Sequence, residues 1–91
     1  MSNYSYPIQQ DWTKDEMIAV VDFLTKVEDA YESGISREEF THHYQKFKHV
    51  VNSISGEKQM DKAFQQTSGY SIYQVVKYMK QHPDSQHIRM T

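Results

Sequence analysis

The stretch from Trp12 to Phe40, WTKDEMIAVVDFLTKVEDAYESGISREEF, decides the fold. Thr13 and Glu16 form a T-x-x-E capping box, in which each side chain can take a free amide at a helix N-terminus. Trp12 before the cap and Met17 after it stand at the spacing of a hydrophobic staple. Met17, Val20, Val21, Leu24, Val27 and Tyr31 then recur on one helical face. Gly34 suits the left-handed position that closes a helix. Ser36 and Glu39 repeat the box at once, with Ile35 and Phe40 as the staple pair. The stretch therefore predicts a helix over 14–33, a stop, and a second helix from 37.

Downstream, the same signals recur. Phe40, Tyr44, Phe47, Val51 and Ile54 trace one stripe, and the turn-rich segment 52–56 ends the second helix near 53. A third helix is expected over 56–68, capped by Ser55 without a box, because position 58 is Lys. Met60, Ala63, Phe64 and Thr67 give it a thin apolar face, and Gly69 closes it with Tyr70 placed to touch Phe64. Ser71 with Gln74, and Tyr70 with Val75, open a fourth helix over 72–82. Its stripe is Ile72, Val75, Val76 and Met79, and Pro83 stops it. Residues 83–91, PDSQHIRMT, show no periodicity and are expected to form a flexible tail. Ahead of the first helix, Pro7 holds its neighbour extended, so an ordered arm is expected to cross the bundle with Tyr6, Ile8 and Trp12. The expected fold is all-α: a single compact domain of four short helices with an ordered N-terminal arm over 1–82, followed by the tail. No run of β-branched residues alternates between turns.

Composition bounds the function. At 91 residues there is room for one domain. Aromatic residues reach 13% against 37% hydrophobic, so large rings must supply much of the core. The chain has no Cys, which excludes disulfides and thiol catalysis and fits a reducing compartment. No run approaches the roughly 18–20 apolar residues of a membrane span. The N-terminus lacks the basic-then-apolar order of a secretory signal, so a cytoplasmic location is expected. Residues 1–35 hold seven acids and two bases, and residues 36–91 hold five acids and eight bases with all five His. This asymmetry suggests an acidic first helix lying against more basic later ones.

The order and spacing of several short motifs resemble one family. These are Tyr4-x-Tyr6-Pro7-Ile8, Asp11-Trp12-Thr13, Glu16-Met17-Ile18, Tyr31-Glu32-Ser33-Gly34, Phe47-Lys48, Glu57-Lys58 and Ser68-Gly69-Tyr70-x-x-Tyr73. Together they look like the YktA-type family of small uncharacterised proteins from Bacillus, staphylococci and relatives. The resemblance runs from about Tyr4 to about Lys80. It implies a compact all-helical cytoplasmic domain and carries over no catalytic residue.

Candidate chemistry is sparse. Glu39-x-x-His42 has the E-x-x-H spacing of di-iron helices, but the chain holds no second copy. His42, His43 and His49 lack the i, i+4 pairing of H-E-x-x-H zinc helices. His42 and His43 are instead expected to pair with Glu38 and Glu39 on a solvated face. No nucleophile elbow or glycine-rich phosphate loop is present. No metal, cofactor or enzymatic activity is therefore expected.

Two binding readings remain. Tyr and Trp are enriched at protein interfaces, because a ring buries much area while its polar end stays satisfied. Tyr4, Tyr6, Trp12, Tyr70 and Tyr73, with Gln74, Lys77 and Lys80, are the candidate contacts for a protein partner, which could be a second copy of the chain in a homodimer. The alternative is a small DNA-binding protein with a helix-turn-helix-like segment at 64–80. Gln74 would then read base edges while Lys77 and Lys80 meet phosphates. The overall charge of −2 weighs against nucleic acid, so a non-enzymatic protein-interaction module is the first expectation.

Overall fold

The computed structural model describes residues 6–90, so Met1–Ser5 (with the candidate Tyr4) and Thr91 lie outside it. Four helices carry the chain: α1 (Lys14–Glu32), α2 (Arg37–Val50), α3 (Ile54–Ser68) and α4 (Ile72–Gln81). Two two-residue strands, β1 (Ile35–Ser36) and β2 (His87–Ile88), pair antiparallel, with Ile35 opposite Ile88 and Ser36 opposite His87. The all-α expectation holds, apart from this short ladder.

The helix starts follow the cap chemistry with instructive exceptions. At α1 both arms of the box form: the Glu16 amide donates to Thr13 Oγ1 at 3.2 Å and the Thr13 amide donates to Glu16 Oε1 at 2.8 Å. Gly34, at φ +90°, ends α1, and its amide donates to the Asp29 carbonyl at 2.7 Å. A Cβ at Gly34 would come within 2.5 Å of the His87 ring, so this glycine also admits the C-terminal segment. At α2 the Glu39 amide donates to Ser36 Oγ at 3.1 Å, but the Glu39 carboxylate pairs with Lys26 of α1 at 3.2 Å. Only the Ser36 half of the expected box forms.

The third helix starts earlier than expected, and α2 ends earlier, at Val50 rather than near 53. Ser53, not Ser55, is the cap, and its Oγ accepts from the Gly56 amide at 3.0 Å. Gly56 allows this closure: a Cβ there would lie 2.8 Å from Ser53 Oγ and 3.1 Å from Val51 Cγ1. Gly69 ends α3 at φ +81°, as the sequence predicts. Ser71 caps α4, accepting from the Gln74 amide at 3.2 Å. The expected return bond from Gln74 is replaced, because the Ser71 amide donates to Tyr31 Oη at 3.3 Å. Asp61 of α3 reinforces this cap, its Oδ1 accepting from the Ile72 amide at 2.7 Å.

The core lies between α1 and its neighbours. Val20, Phe23, Leu24, Val27 and Ala30 of α1 are fully buried. The Phe23 ring stacks on Phe47 at 4.6 Å and meets Phe40 at 5.4 Å and Tyr44 at 5.5 Å, tilted to both. Such ring pairs contribute about 0.5–1.5 kcal/mol each beyond their area burial. Among the described residues the two ion pairs are Lys26–Glu39 and Lys48–Glu57. The acidic α1 does lie against α2 and α4, but neither ion pair uses an α1 acid. Two of its acids accept from tyrosines instead: Glu28 from Tyr6 at 3.0 Å and Glu32 from Tyr70 at 2.8 Å.

The expected tail over 83–91 is corrected most. Ile88 is fully buried, the Arg37 amide donates to the Gln86 carbonyl at 2.9 Å, and the Met90 amide donates to the Ala30 carbonyl at 2.9 Å. A segment too short for periodicity is held by one apolar anchor and partners more than 45 residues upstream.

Candidate functional site

The amphipathic pattern of α4 sorts its residues sharply. Ile72, Val75, Val76 and Met79 are buried, while Tyr73, Gln74, Lys77 and Lys80 are exposed. Tyr73, Lys77 and Lys80 fall at i, i+4 and i+7, one line along the solvent side. Tyr73 is 60% exposed, which is unusual for so large a ring. The helix carries no acid, and among the described residues Lys77 and Lys80 make no ion pair.

Beside this line runs an open groove of about 540 Å³ between α2 and α4. Thr41, Tyr44 and Met79 lie along it, with Lys48, His49 and Lys80 at its edges. Its walls are fixed. The Thr41 hydroxyl donates to Met79 Sδ at 3.6 Å, joining the two helices. Glu57 of α3 accepts from Tyr44 Oη at 3.2 Å and from Lys48 Nζ at 2.9 Å. Burial first, then the Glu57 charge, raises the Tyr44 hydroxyl above its ordinary pKa. The hydrogen bond to Glu57 raises Lys48. The Lys48 charge is therefore locally balanced, and Lys77 and Lys80 supply the positive character of this face.

The other sequence candidates sit elsewhere. Tyr6 is half-buried in the arm, 6.3 Å from the Phe64 ring, with its hydroxyl on Glu28. Trp12 packs half-buried against the core and Ile8 is 43% exposed, so the arm delivers two of its three expected apolar groups inward. Tyr70 stacks on Tyr31 at 4.6 Å. Tyr6, Trp12 and Tyr70 thus fasten the arm and the start of α4, while Tyr73, Gln74, Lys77 and Lys80 share one exposed face. The sequence assigned no binding role to the groove residues Tyr44, Lys48, His49 and Met79. Tyr44 and Met79 each belong to a core stripe, and nothing in either helix alone shows that they meet at a surface.

The histidine region offers little. The Glu39 carboxylate is held by Lys26, and the His42 and His43 rings meet edge to face at 5.5 Å. Burial first, then Lys26 and His42, lowers the His43 pKa. Among the described residues no group of three or more His, Asp or Glu side chains is placed to hold a metal ion. No described helix is long and apolar enough to cross a membrane.

The fold and site define a small helical protein with a C-terminal clasp and an exposed basic-aromatic helix. The chain belongs to the uncharacterised protein family UPF0223, whose description matches residues 3–88. It is 40% identical to a UPF0223 protein of Bacillus mycoides over 87 residues, 96% of this chain and 98% of the relative. A Streptococcus agalactiae relative is 48% identical over 80 residues, 88% of this chain and 86% of its own length. A Staphylococcus epidermidis relative is 42% identical over 81 residues, 89% and 88% of the two chains. The family resemblance read from the sequence motifs agrees with these matches.

Proposed function

We propose that this chain is a non-enzymatic, cytoplasmic protein-interaction module that engages a protein partner through the exposed face of α4 and the adjoining α2 groove. One observation carries the reading: Tyr73, Gln74, Lys77 and Lys80 stand together in solvent beside a groove floored by Tyr44 and Met79. A protein side chain can fill such a groove while the lysines meet partner carboxylates, which is how an apolar centre and a polar rim divide the work of an interface. The lack of Cys supports a reducing compartment.

The observations favour protein over DNA. In helix-turn-helix readers the N-terminal residues of the recognition helix approach base edges. Here the Asp61 carboxylate occupies the N-terminus of α4, and Glu57 and Lys58 share the hollow beside Tyr73 with it. The Asp61 charge would oppose phosphates approaching that end. The test is affinity capture from a native bacterial lysate with the parent and a Tyr73→Ala, Lys77→Ala, Lys80→Ala variant, beside a DNA mobility shift. Proteins retained by the parent and lost by the variant are expected. A salt-sensitive DNA shift abolished by the variant, without protein capture, would overturn the reading.

A further inference from the structure

The outward side of α1 carries charge opposite to that of the α4 face. Asp15, Ile18 and Asp22 fall at i, i+3 and i+7, and all three are exposed, Ile18 by 47%. A single apolar side chain between two carboxylates is the chemical complement of a Tyr44–Met79 groove edged by Lys80, with Lys77 next to it. Among the described residues Asp15, Asp22, Lys77 and Lys80 make no ion pair, and within the fold the Asp22 charge acts on His43 of α2. Resting on the reading of α4 as the binding face, we infer that the partner is a second copy of this chain, with Ile18 of one copy seated in the α2–α4 groove of the next. Asp15 and Asp22 then meet Lys77 and Lys80.

The placement also fixes the kind of assembly. Val20, Phe23, Leu24 and Val27 turn the other side of α1 into the core against α2 and α4. The acidic line and the groove are therefore on different faces, and their contact is head-to-tail rather than self-matching. Such a contact does not stop at a pair: it adds copies with concentration until the chain of copies closes into a ring or runs on. With one apolar anchor and exposed charge pairs, it is weak and sensitive to salt.

Sedimentation equilibrium of the whole chain tests this, from about 10 μM to about 1 mM, in low salt and in about 0.5 M salt. The expected result is an average mass rising above 10.8 kDa with concentration and returning to it in high salt. An Ile18→Ser, Asp22→Asn variant and a Lys77→Ala, Lys80→Ala variant should each remain monomeric while keeping the parent's helical spectrum. Mixed together they should reach the mass of two chains and no more, because one intact acidic line and one intact groove remain. A parent that stays at 10.8 kDa throughout overturns the inference, as does association that either variant leaves unchanged or a mixture that stays monomeric. If the parent is monomeric but lysate capture still depends on Tyr73, Lys77 and Lys80, self-recognition fails while the reading of α4 stands.

Discussion

Arg37 joins more of the chain than any neighbouring polar residue. Its Nη1 donates to the carbonyls of Met79 at 3.0 Å and His82 at 3.1 Å, placing a positive charge at the C-terminal end of α4. Its own amide reaches Gln86. Arg37→Ala should cost about 1.5–3 kcal/mol in urea unfolding, the range for hydrogen bonds to a charged group. Arg37→Lys should recover part of the loss. Glu28 makes a pH-dependent contribution. Burial first, then the charges of Glu32 and Asp29, raises its pKa. A carboxyl whose pKa is raised by folding favours the protonated fold. Its stabilising contribution is present below the unfolded value of about 4.3 and is lost as pH rises through the raised value. Glu28→Gln keeps an acceptor for Tyr6 and removes the ionisation. The variant's melting temperature, relative to the parent, should therefore climb between about pH 4 and about pH 7. A relative melting temperature that fell over that interval would contradict this account.

Among the elements, the C-terminal strand has the largest consequence for stability. Ile88 is fully buried, so Ile88→Ala should cost about 2–4 kcal/mol, with Ile88→Val near 1 kcal/mol, in the range for large-to-small core changes. Both are read as shifts in the urea midpoint. The helices around this strand were legible because caps and stripes are local. Thr13, Ser36 and Ser71 each hold the amide three residues on, as their spacing requires. The return arms were less legible, because a surface Glu or Gln competes between its own cap and distant partners: Lys26 took Glu39, and Tyr31 displaced Gln74. Ser53 was missed for a related reason. Two serines two residues apart offer the same cap chemistry, and the choice depends on Gly56 closing against Ser53 and Val51. The strand carried no periodic signal at all, since its order comes from Ile35 and Ala30 far upstream.

At the scale of the whole molecule, function rests on what the core leaves outside. The line of Tyr73, Lys77 and Lys80 was legible because a helix with a clean apolar stripe must show its other residues to solvent. The groove was not, because it exists only where α2 meets α4, and its floor uses residues that look like core in either helix. Tyr6 and Tyr70 were read as contacts because ring content alone does not tell a fastening ring from a free one. Their acid partners, Glu28 and Glu32, are visible only in the folded chain. The most direct measurement places a photo-crosslinking phenylalanine analogue at position 73, 77 or 54 of the chain in living bacteria. Position 54 is Ile54 of α3, 74% exposed and outside the lining of the groove, and so controls for exposure. Defined crosslinked bands from positions 73 and 77, absent from 54, are the predicted result. Equal crosslinking from all three positions, or bands from 54 alone, would contradict the assignment of α4 as the binding face.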